Sequence, residues 1–210
     1  MSRDQVPEGV LEELLAEHGR TYADQAGITL RDKPASLFQL LVLATLSSAP
    51  ISADVAATTA HELFRAGWRT PERMRSATWQ QRVDALGRGG YRRYDERTAT
   101  VLEESAALLE EHHGGDLRRL RREADGDRDA LVEALQEFPR VGPTGARIFC
   151  REAQAVWPEL VPFFDDRGLE RAGGLGLPTD PGALADVVGG DPGEVAWLSA
   201  ALVRSALADG

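Results

Sequence analysis

The 210-residue chain has few residues that can form covalent cross-links, Schiff bases or metal clusters. Cys150 is its single cysteine, which excludes a disulfide scaffold, a four-cysteine iron–sulfur cluster and a zinc ribbon. Lys33 is its single lysine, so a lysine Schiff base would have to use that side chain. His112 and His113 lack a third ligand at metal-binding spacing and are interpreted as the end of a surface helix. We therefore expect no metal and no cofactor.

Long hydrophobic segments are also missing. The longest apolar run, Leu40 to Leu46, is too short to span a bilayer. The first ten residues, MSRDQVPEGV, contain no apolar stretch typical of a secretory signal. These absences predict a cytoplasmic protein without membrane contact.

The charge balance is acidic. The chain carries 34 acidic and 24 basic residues, which gives a formal net charge of −10 and a pI of about 4.9. Hydrophobic residues make up 42%, enough for a core, so general disorder is excluded. A net negative charge argues against strong non-specific binding to DNA. Basic residues that are grouped on one face could still bind DNA, and the affinity should then depend on salt.

Helical signals run through the whole sequence. Residues 36–47, SLFQLLVLATLS, are apolar on all sides and predict a central, buried helix. Cap residues followed by proline or by a capping-box glutamine predict helix starts at Thr70, Thr78, Asp180 and Asp191. No segment alternates with the period of a strand. The fold class is therefore all-α, with about ten helices.

The most informative stretch is FPRVGPTGA, residues 138–146, between two amphipathic helices. Pro143 suits the first position of the second helix, and Gly142 can adopt a left-handed conformation and let another backbone approach closely. Backbone N–H groups in such a turn, ahead of a helix N-terminus, bind anions such as DNA phosphate. The candidate DNA contacts of this turn are Arg140, Val141, Gly142, Thr144 and Gly145. The alternative is an ordinary corner between two helices.

FPRVGPTGA resembles the helix–hairpin–helix motif of the endonuclease III-like DNA glycosylases, whose pattern is roughly L-P-G-V-G-x-x-T-A. FDDRGLERAGGLGLP, residues 164–178, resembles the family segment that contains the catalytic aspartate and leads into R-L-G-L. Three upstream segments are also similar to family segments: LATLSSAPIS, GYRRYDERTATVL and HHGGDLRRL. The resemblance covers about residues 36–178.

The resemblance implies a two-lobed, all-α helix–hairpin–helix fold. One lobe would be a helical bundle with the hairpin, residues 28–150. The other would combine residues 1–27 with 151–210 and carry Asp165, which aligns with the catalytic aspartate. Asp166 is a second candidate, because the spacing from the hairpin is about three residues longer than in the family. The alternative for Asp165 is a plain helix N-cap.

The departures from the family pattern restrict the activity that the resemblance implies. Thr144 stands where bifunctional members carry the catalytic lysine, so the resemblance implies base removal without efficient lyase activity. Arg140 replaces the first hairpin glycine, and Pro50 stands where the family's intercalating glutamine is expected. Hydrolysis of an N-glycosidic bond passes through an oxocarbenium-like state, which one carboxylate can stabilise while it orients water.

Two arginine-rich segments complete the candidates. GRGGYRRYDER, residues 87–97, combines tyrosine with arginine as nucleic-acid-binding surfaces do, so Tyr91 and Arg97 are candidate DNA contacts, with a solvated loop as the alternative. The second cluster is interpreted as a solvated helix face; its members are Arg118, Arg119, Arg121 and Arg122.

The predicted function is a monofunctional DNA glycosylase of base excision repair that acts as a monomer on double-stranded DNA with a lesion or mismatch. It would be cytoplasmic and nucleoid-associated. A non-catalytic helix–hairpin–helix DNA-binding protein is the alternative, and an α-helical protein-interaction domain is the third possibility.

Overall fold

A computed structural model describes Pro7 and residues 9–209, so the predictions for the first six residues lie outside the described part of the chain. Within that part there are thirteen α-helices and one 3-10 helix, and no strand. The predicted all-α class is therefore confirmed. No helix of the described residues has the length and apolar character needed to cross a membrane.

The chain divides into two compact units. The larger spans Tyr22–Phe149, and the smaller combines the described residues up to Thr21 with those from Cys150 onward. The helices of the first half are α1 (Val10–His18), α2 (Tyr22–Gln25), α3 (Pro34–Ser47), α4 (Ala53–Arg65), α5 (Pro71–Ser76), α6 (Trp79–Arg88) and α7 (Asp95–His113). Those of the second half are α8 (Leu117–Glu123), α9 (Arg128–Leu135), α10 (Pro143–Ala153), α11 (Asp166–Gly174), α12 (Pro181–Val187) and α13 (Pro192–Ala208), with the 3-10 helix at Pro158–Leu160.

Helix α3 forms the centre of the larger unit, as its all-round apolar sequence predicts. Every residue from Leu37 to Leu46 is buried. Helices α4, α7 and α8 pack against it. Because burying one leucine-sized side chain contributes about 1.5–3 kcal/mol, this helix is a major source of the unit's stability.

The predicted helix starts are confirmed where the sequence supplies a cap. The Thr70 hydroxyl accepts a hydrogen bond from the Arg73 N–H. Thr78 and Gln81 form a reciprocal capping box. The Asp180 carboxylate accepts from the Ala183 N–H at the start of α12, and the Asp191 carboxylate accepts from two N–H groups at the start of α13. Each cap contributes about 0.5–2 kcal/mol.

The smaller unit is organised around α13, which packs against α1 and α11. Its core joins side chains from both ends of the chain. The buried members include Leu14, Phe164, Leu177, Leu184, Val195, Leu198 and Leu202. The unit is therefore closed only when the N-terminal helix meets the C-terminal half of the sequence.

Helix α10 approaches α3 closely at Gly145, which is buried. A Cβ atom at this position would lie 2.2 Å from the Ser48 Oγ and 3.4 Å from a methyl group of Val141. The Ser48 hydroxyl in turn donates to the Ala44 carbonyl at 2.8 Å. The absence of a side chain at Gly145 thus sets the distance between the hairpin helix and the central helix.

We predict that Gly145→Ala lowers the free energy of unfolding by about 1–3 kcal/mol, the usual cost of overpacking. Because the closest atom is the Ser48 hydroxyl, Ser48→Ala should recover part of that loss. Chemical denaturation of the two single variants and the double variant measures this coupling. Strictly additive effects would show that the Ser48 contact does not limit the approach of the helices.

Candidate functional site

The hairpin between α9 and α10 contains one residue in the left-handed region, and it is Arg140, with φ of 62°. The φ of Gly142 lies outside that region, so the expectation that Gly142 supplies the left-handed residue is corrected. A non-glycine residue there costs roughly 1–2 kcal/mol. The Arg140 side chain is exposed. The turn is thus held in a strained conformation that presents a positive charge.

Three backbone donors remain at the tip of this turn. The Val141 N–H donates to the Phe138 carbonyl at 3.0 Å, and the Gly142 carbonyl accepts from Ala146 at 3.0 Å. The N–H groups of Gly142, Thr144 and Gly145 make no hydrogen bond within the described part of the chain. Donors at the start of an eleven-residue helix, beside an arginine, favour an anion.

Gly142 also leaves room for a ligand. No atom of the described chain lies within 4 Å of a Cβ built on Gly142. The side chains of Arg140 and Thr144 on either side are exposed, whereas the Val141 side chain is 2% exposed and belongs to the core. Val141 is therefore a structural residue of the turn rather than a DNA contact, since its N–H is used as well. The surface that can meet a phosphate runs from Arg140 over Gly142 to Thr144.

The segment GRGGYRRYDER is divided between core and surface. Tyr91 is 2% exposed, and its hydroxyl donates to the Leu46 carbonyl at 3.3 Å. Its ring meets Tyr94 edge to face, and Arg93 lies over the Tyr94 ring at 5.5 Å. Tyr91 is therefore a core residue and offers no ring face to a base, whereas Arg97 is exposed in the first turn of α7.

Burial raises the pKa of the Tyr91 phenol above its ordinary value of 10.0, and Thr98 and the charge of Arg140 oppose the shift. The neutral phenol is favoured in the folded state, so its contribution to stability is complete below pH 10 and declines as the pH rises through the folded-state pKa.

We predict that Tyr91→Phe flattens the loss of stability above pH 10 by up to about 1.4 kcal/mol per pH unit, the effect of one proton. Denaturant midpoints between pH 8 and 11.5 measure it, with Tyr94→Phe as the control for a less buried tyrosine. An unchanged slope in Tyr91→Phe would show that another group controls alkaline unfolding.

Asp165 is the N-cap of α11, as one of its two interpretations predicts. Its Oδ1 accepts from the Gly168 N–H at 2.9 Å, and its Oδ2 accepts from Arg151 Nη1 at 2.9 Å. The carboxylate is 21% exposed, whereas the Arg151 side chain is 4% exposed. The second carboxylate of this cluster, Glu152, has an oxygen 3.8 Å from Arg151 Nε. Asp166 lies exposed in the first turn of α11.

The segment before Asp165 is fixed by Gln154. This fully buried amide donates to the Phe163 carbonyl and accepts from the Phe163 N–H, both at 2.9 Å. Ser199 on α13 donates to the same carbonyl at 3.1 Å. The backbone of residues 163–165 is therefore held on two sides, and the position of the Asp165 carboxylate follows from it.

Arg151 and Gln154 did not emerge from the sequence as functional residues. The available signal was the polar run Arg151-Glu152 next to the apolar stripe of α10, which contains Phe149, Cys150 and Ala153. A charged residue beside such a stripe indicates either a helix edge or a buried partner, and the sequence does not decide between them.

Among the described residues, no group of three or more His, Cys, Asp or Glu side chains could hold a metal ion. The histidine pair at the end of α7 differs from its predicted surface position. His113 is buried, and its ring lies 6.3 Å from that of Phe138, while His112 is exposed. His113 thus packs beneath the start of the hairpin.

Neither a protein-family model nor a curated protein matches the chain. Among solved structures, the chain is similar to one described as a trapped endonuclease III–DNA covalent intermediate in an estranged-adenine complex. The identity is 17%, the TM-score is 0.51, and the match covers 97% of this chain and 85% of that chain. The protein therefore has an endonuclease III-like all-α fold, which confirms the fold that the sequence resemblance implies.

Proposed function

We propose that the protein is a monofunctional DNA N-glycosylase that removes a damaged or mismatched base by aspartate-assisted hydrolysis. The observation that carries the proposal is the fixed Asp165 carboxylate at the N-terminus of α11, in a chain that also carries an open hairpin with three backbone donors. The fold is shared with an endonuclease III captured on DNA. The partner is double-stranded DNA with a lesion or mismatch, bound by a monomer in the cytoplasm at the nucleoid.

The hairpin would bind the DNA backbone. A phosphate oxygen at the tip would accept from the Gly142 and Thr144 N–H groups, and Arg140 would add a charge-assisted contact. Such contacts anchor the duplex without reading its sequence. Arg97 would be a further backbone contact from the start of α7.

Asp165 would act when positive charge develops on the sugar. The cluster of Arg151, Asp165 and Glu152 has a formal charge of −1, so Glu152 offsets the arginine that would otherwise cancel the Asp165 charge. The carboxylate would stabilise the oxocarbenium-like state and orient the attacking water, while the base leaves from a flipped-out nucleotide. A carboxylate with both oxygens already bonded needs little reorganisation during the reaction.

Strand cleavage through a Schiff base is not part of the proposed activity. The Thr144 hydroxyl cannot form an imine with the abasic sugar, and it lies at the position where the family's bifunctional members carry lysine. Lys33, the single lysine, precedes the first residue of α3.

The second candidate is a DNA-binding protein without catalysis. The observation that favours it is the double engagement of Asp165, because an N-cap bonded to a buried arginine is also a complete structural motif. In that case the hairpin would bind DNA and Asp165 would have only a structural role. The two candidates differ in whether the protein removes a base and whether Asp165 is needed for it.

We predict that Gly142→Val weakens binding to duplexes of any sequence about ten- to a hundredfold, since its side chain would block about one charge-assisted hydrogen bond, which contributes about 1.5–3 kcal/mol. The fold should survive, because the site is open. Gly174→Val is the matched control, since a Cβ at Gly174 also meets no atom within 4 Å. Titration at fixed salt measures both. Equal affinities for wild type and Gly142→Val would remove the hairpin from the DNA interface.

For Asp165→Asn we predict a hundred- to thousandfold loss of excision rate in single turnover, with DNA affinity retained. Lesion-containing duplexes, read by alkali cleavage at abasic sites, give the rate. The free energy of unfolding should also fall, because Arg151 loses its hydrogen bond to a carboxylate. The Asp165 side chain is partly exposed, so this loss of stability should be smaller than for a fully buried ion pair.

Two controls separate chemistry from capping. Asp180→Asn changes an N-cap of the same unit and should leave excision unchanged. Asp166→Asn tests the neighbouring carboxylate, and a loss there with activity retained in Asp165→Asn would move the catalytic role by one residue. Wild-type protein that excises no base from any lesion would favour the DNA-binding alternative.

A further inference from the structure

Six basic residues lie on α8 and in the loop before α3, and one ion pair joins these two segments. This surface, called the α8 basic surface, comprises Arg31, Lys33, Arg118, Arg119, Arg121 and Arg122. The Arg121 Nη1 lies 3.0 Å from the Asp32 Oδ2, which ties the helix to the loop. Arg31 and Lys33 flank Asp32 in the sequence, and both are exposed.

The apolar side of α8 is fully used inside the unit. Leu117 is 0% and Leu120 is 1% exposed, and the helix packs on α3, α7 and α9. Its four arginines therefore occupy the remaining faces. Arginines three and four positions apart on a helix repel each other by a few tenths of a kcal/mol per pair, so the sequence LRRLRRE has no intrinsic helical advantage.

Acidic neighbours hold two of the arginines in place. Asp116 caps α8 and accepts both Nε and Nη2 of Arg118, and this contact lowers the pKa of the Asp116 carboxyl below its ordinary value. The Asp32 Oδ2 accepts a hydrogen bond from the Arg121 Nη1 at 3.0 Å. These ion pairs favour one position for each of the two guanidinium groups.

The other four cations form no ion pair within the described part of the chain: Arg31, Lys33, Arg119 and Arg122. The charge of Arg122 nevertheless also acts on Asp116. With Asp32, Asp116 and Glu123 counted, the formal charge of this region is +3, although the whole chain carries −10. The region is therefore a local positive potential on an acidic protein. The interpretation as a solvated face does not explain why a helix concentrates repelling charges there.

We propose that the α8 basic surface binds the phosphate backbone of duplex DNA, as a second contact besides the hairpin. The planar arginine fork matches phosphate oxygens, and a duplex offers one charge per about 1.7 Å along its axis. A membrane surface fits less well, because the leucines of α8 are buried and no apolar side chain remains to insert. The choice of DNA rests on the proposed function, whereas the anion site itself does not.

The test compares the salt dependence of binding to an undamaged 20-base-pair duplex. The variant Lys33→Gln/Arg119→Gln/Arg122→Gln removes three unpaired cations and keeps the ion pairs of Arg118 and Arg121. The slope of log affinity against log salt should fall by about one to three, since each lost phosphate contact contributes about 0.9. The pair variant Arg119→Gln/Arg122→Gln should give a smaller decrease and serves if the triple variant melts early.

The charge-matched control is Arg65→Gln/Arg73→Gln/Arg88→Gln, which changes exposed arginines of α4, α5 and α6 by the same total charge. An equal decrease of slope in the control would overturn the proposal, because the effect would then be one of net charge. An unchanged slope in the α8 variant would also overturn it.

Two further measurements separate this proposal from the proposed function. Binding to vesicles that contain phosphatidylserine, lost in the α8 variant while duplex binding stays, would assign the surface to lipid and overturn the DNA assignment. Excision is measured apart from affinity. A protein that removes no base but loses salt-dependent duplex binding in the α8 variant would keep this proposal and refute the glycosylase.

Discussion

The structure of the larger unit depends on the complete burial of one helix, α3. Its residues from Leu37 to Leu46 are covered on every side, so each neighbouring element is placed by contact with it. Gly145 lets the hairpin helix approach to a distance at which no side chain fits, and Tyr91 reaches the Leu46 carbonyl from the other direction. The hairpin helix and α8 are thus both placed by contact with a single buried hydrophobic helix.

In the smaller unit, the arrangement at the start of α11 depends on one buried charge, that of Arg151. Arg151 is 3% exposed, and moving such a group out of water costs several kcal/mol unless a carboxylate compensates for it. Asp165 and Glu152 are the carboxylates next to Arg151, and the other oxygen of Asp165 caps α11. The same bonds that make Asp165 structural also remove its freedom to move, which is the preorganisation that an electrostatic catalyst requires. The structural and catalytic interpretations both require a fixed carboxylate, and the rate of base removal in an Asp165 variant separates them.

The sequence predicted local features well and long-range ones poorly. Caps at Thr78 and Asp191 depend on side chains within three residues, so their signals are complete in the sequence. Tyr91 was expected at the DNA interface because arginines surround it, and its burial depends on Leu46, which lies 45 residues away. The pairing of Arg151 with Asp165 likewise needs the turn between α10 and α11, whose course depends on Gln154. The family resemblance pointed to Asp165 and the hairpin, whereas the packing shows which of the candidate side chains are exposed.

An acidic protein with two local positive surfaces has a characteristic response to salt. The Debye length is about 8 Å at physiological ionic strength, so a phosphate at Arg140 or on the α8 basic surface is affected mainly by the nearest charges. At about 0.01 M salt the length grows to about 30 Å, and the acidic remainder of the chain then repels the duplex as well. Duplex affinity should therefore rise less steeply at low salt than the number of phosphate contacts implies. The net charge of −10 would lower affinity for random DNA, whereas a phosphate held close to a group of arginines would be affected mainly by those arginines.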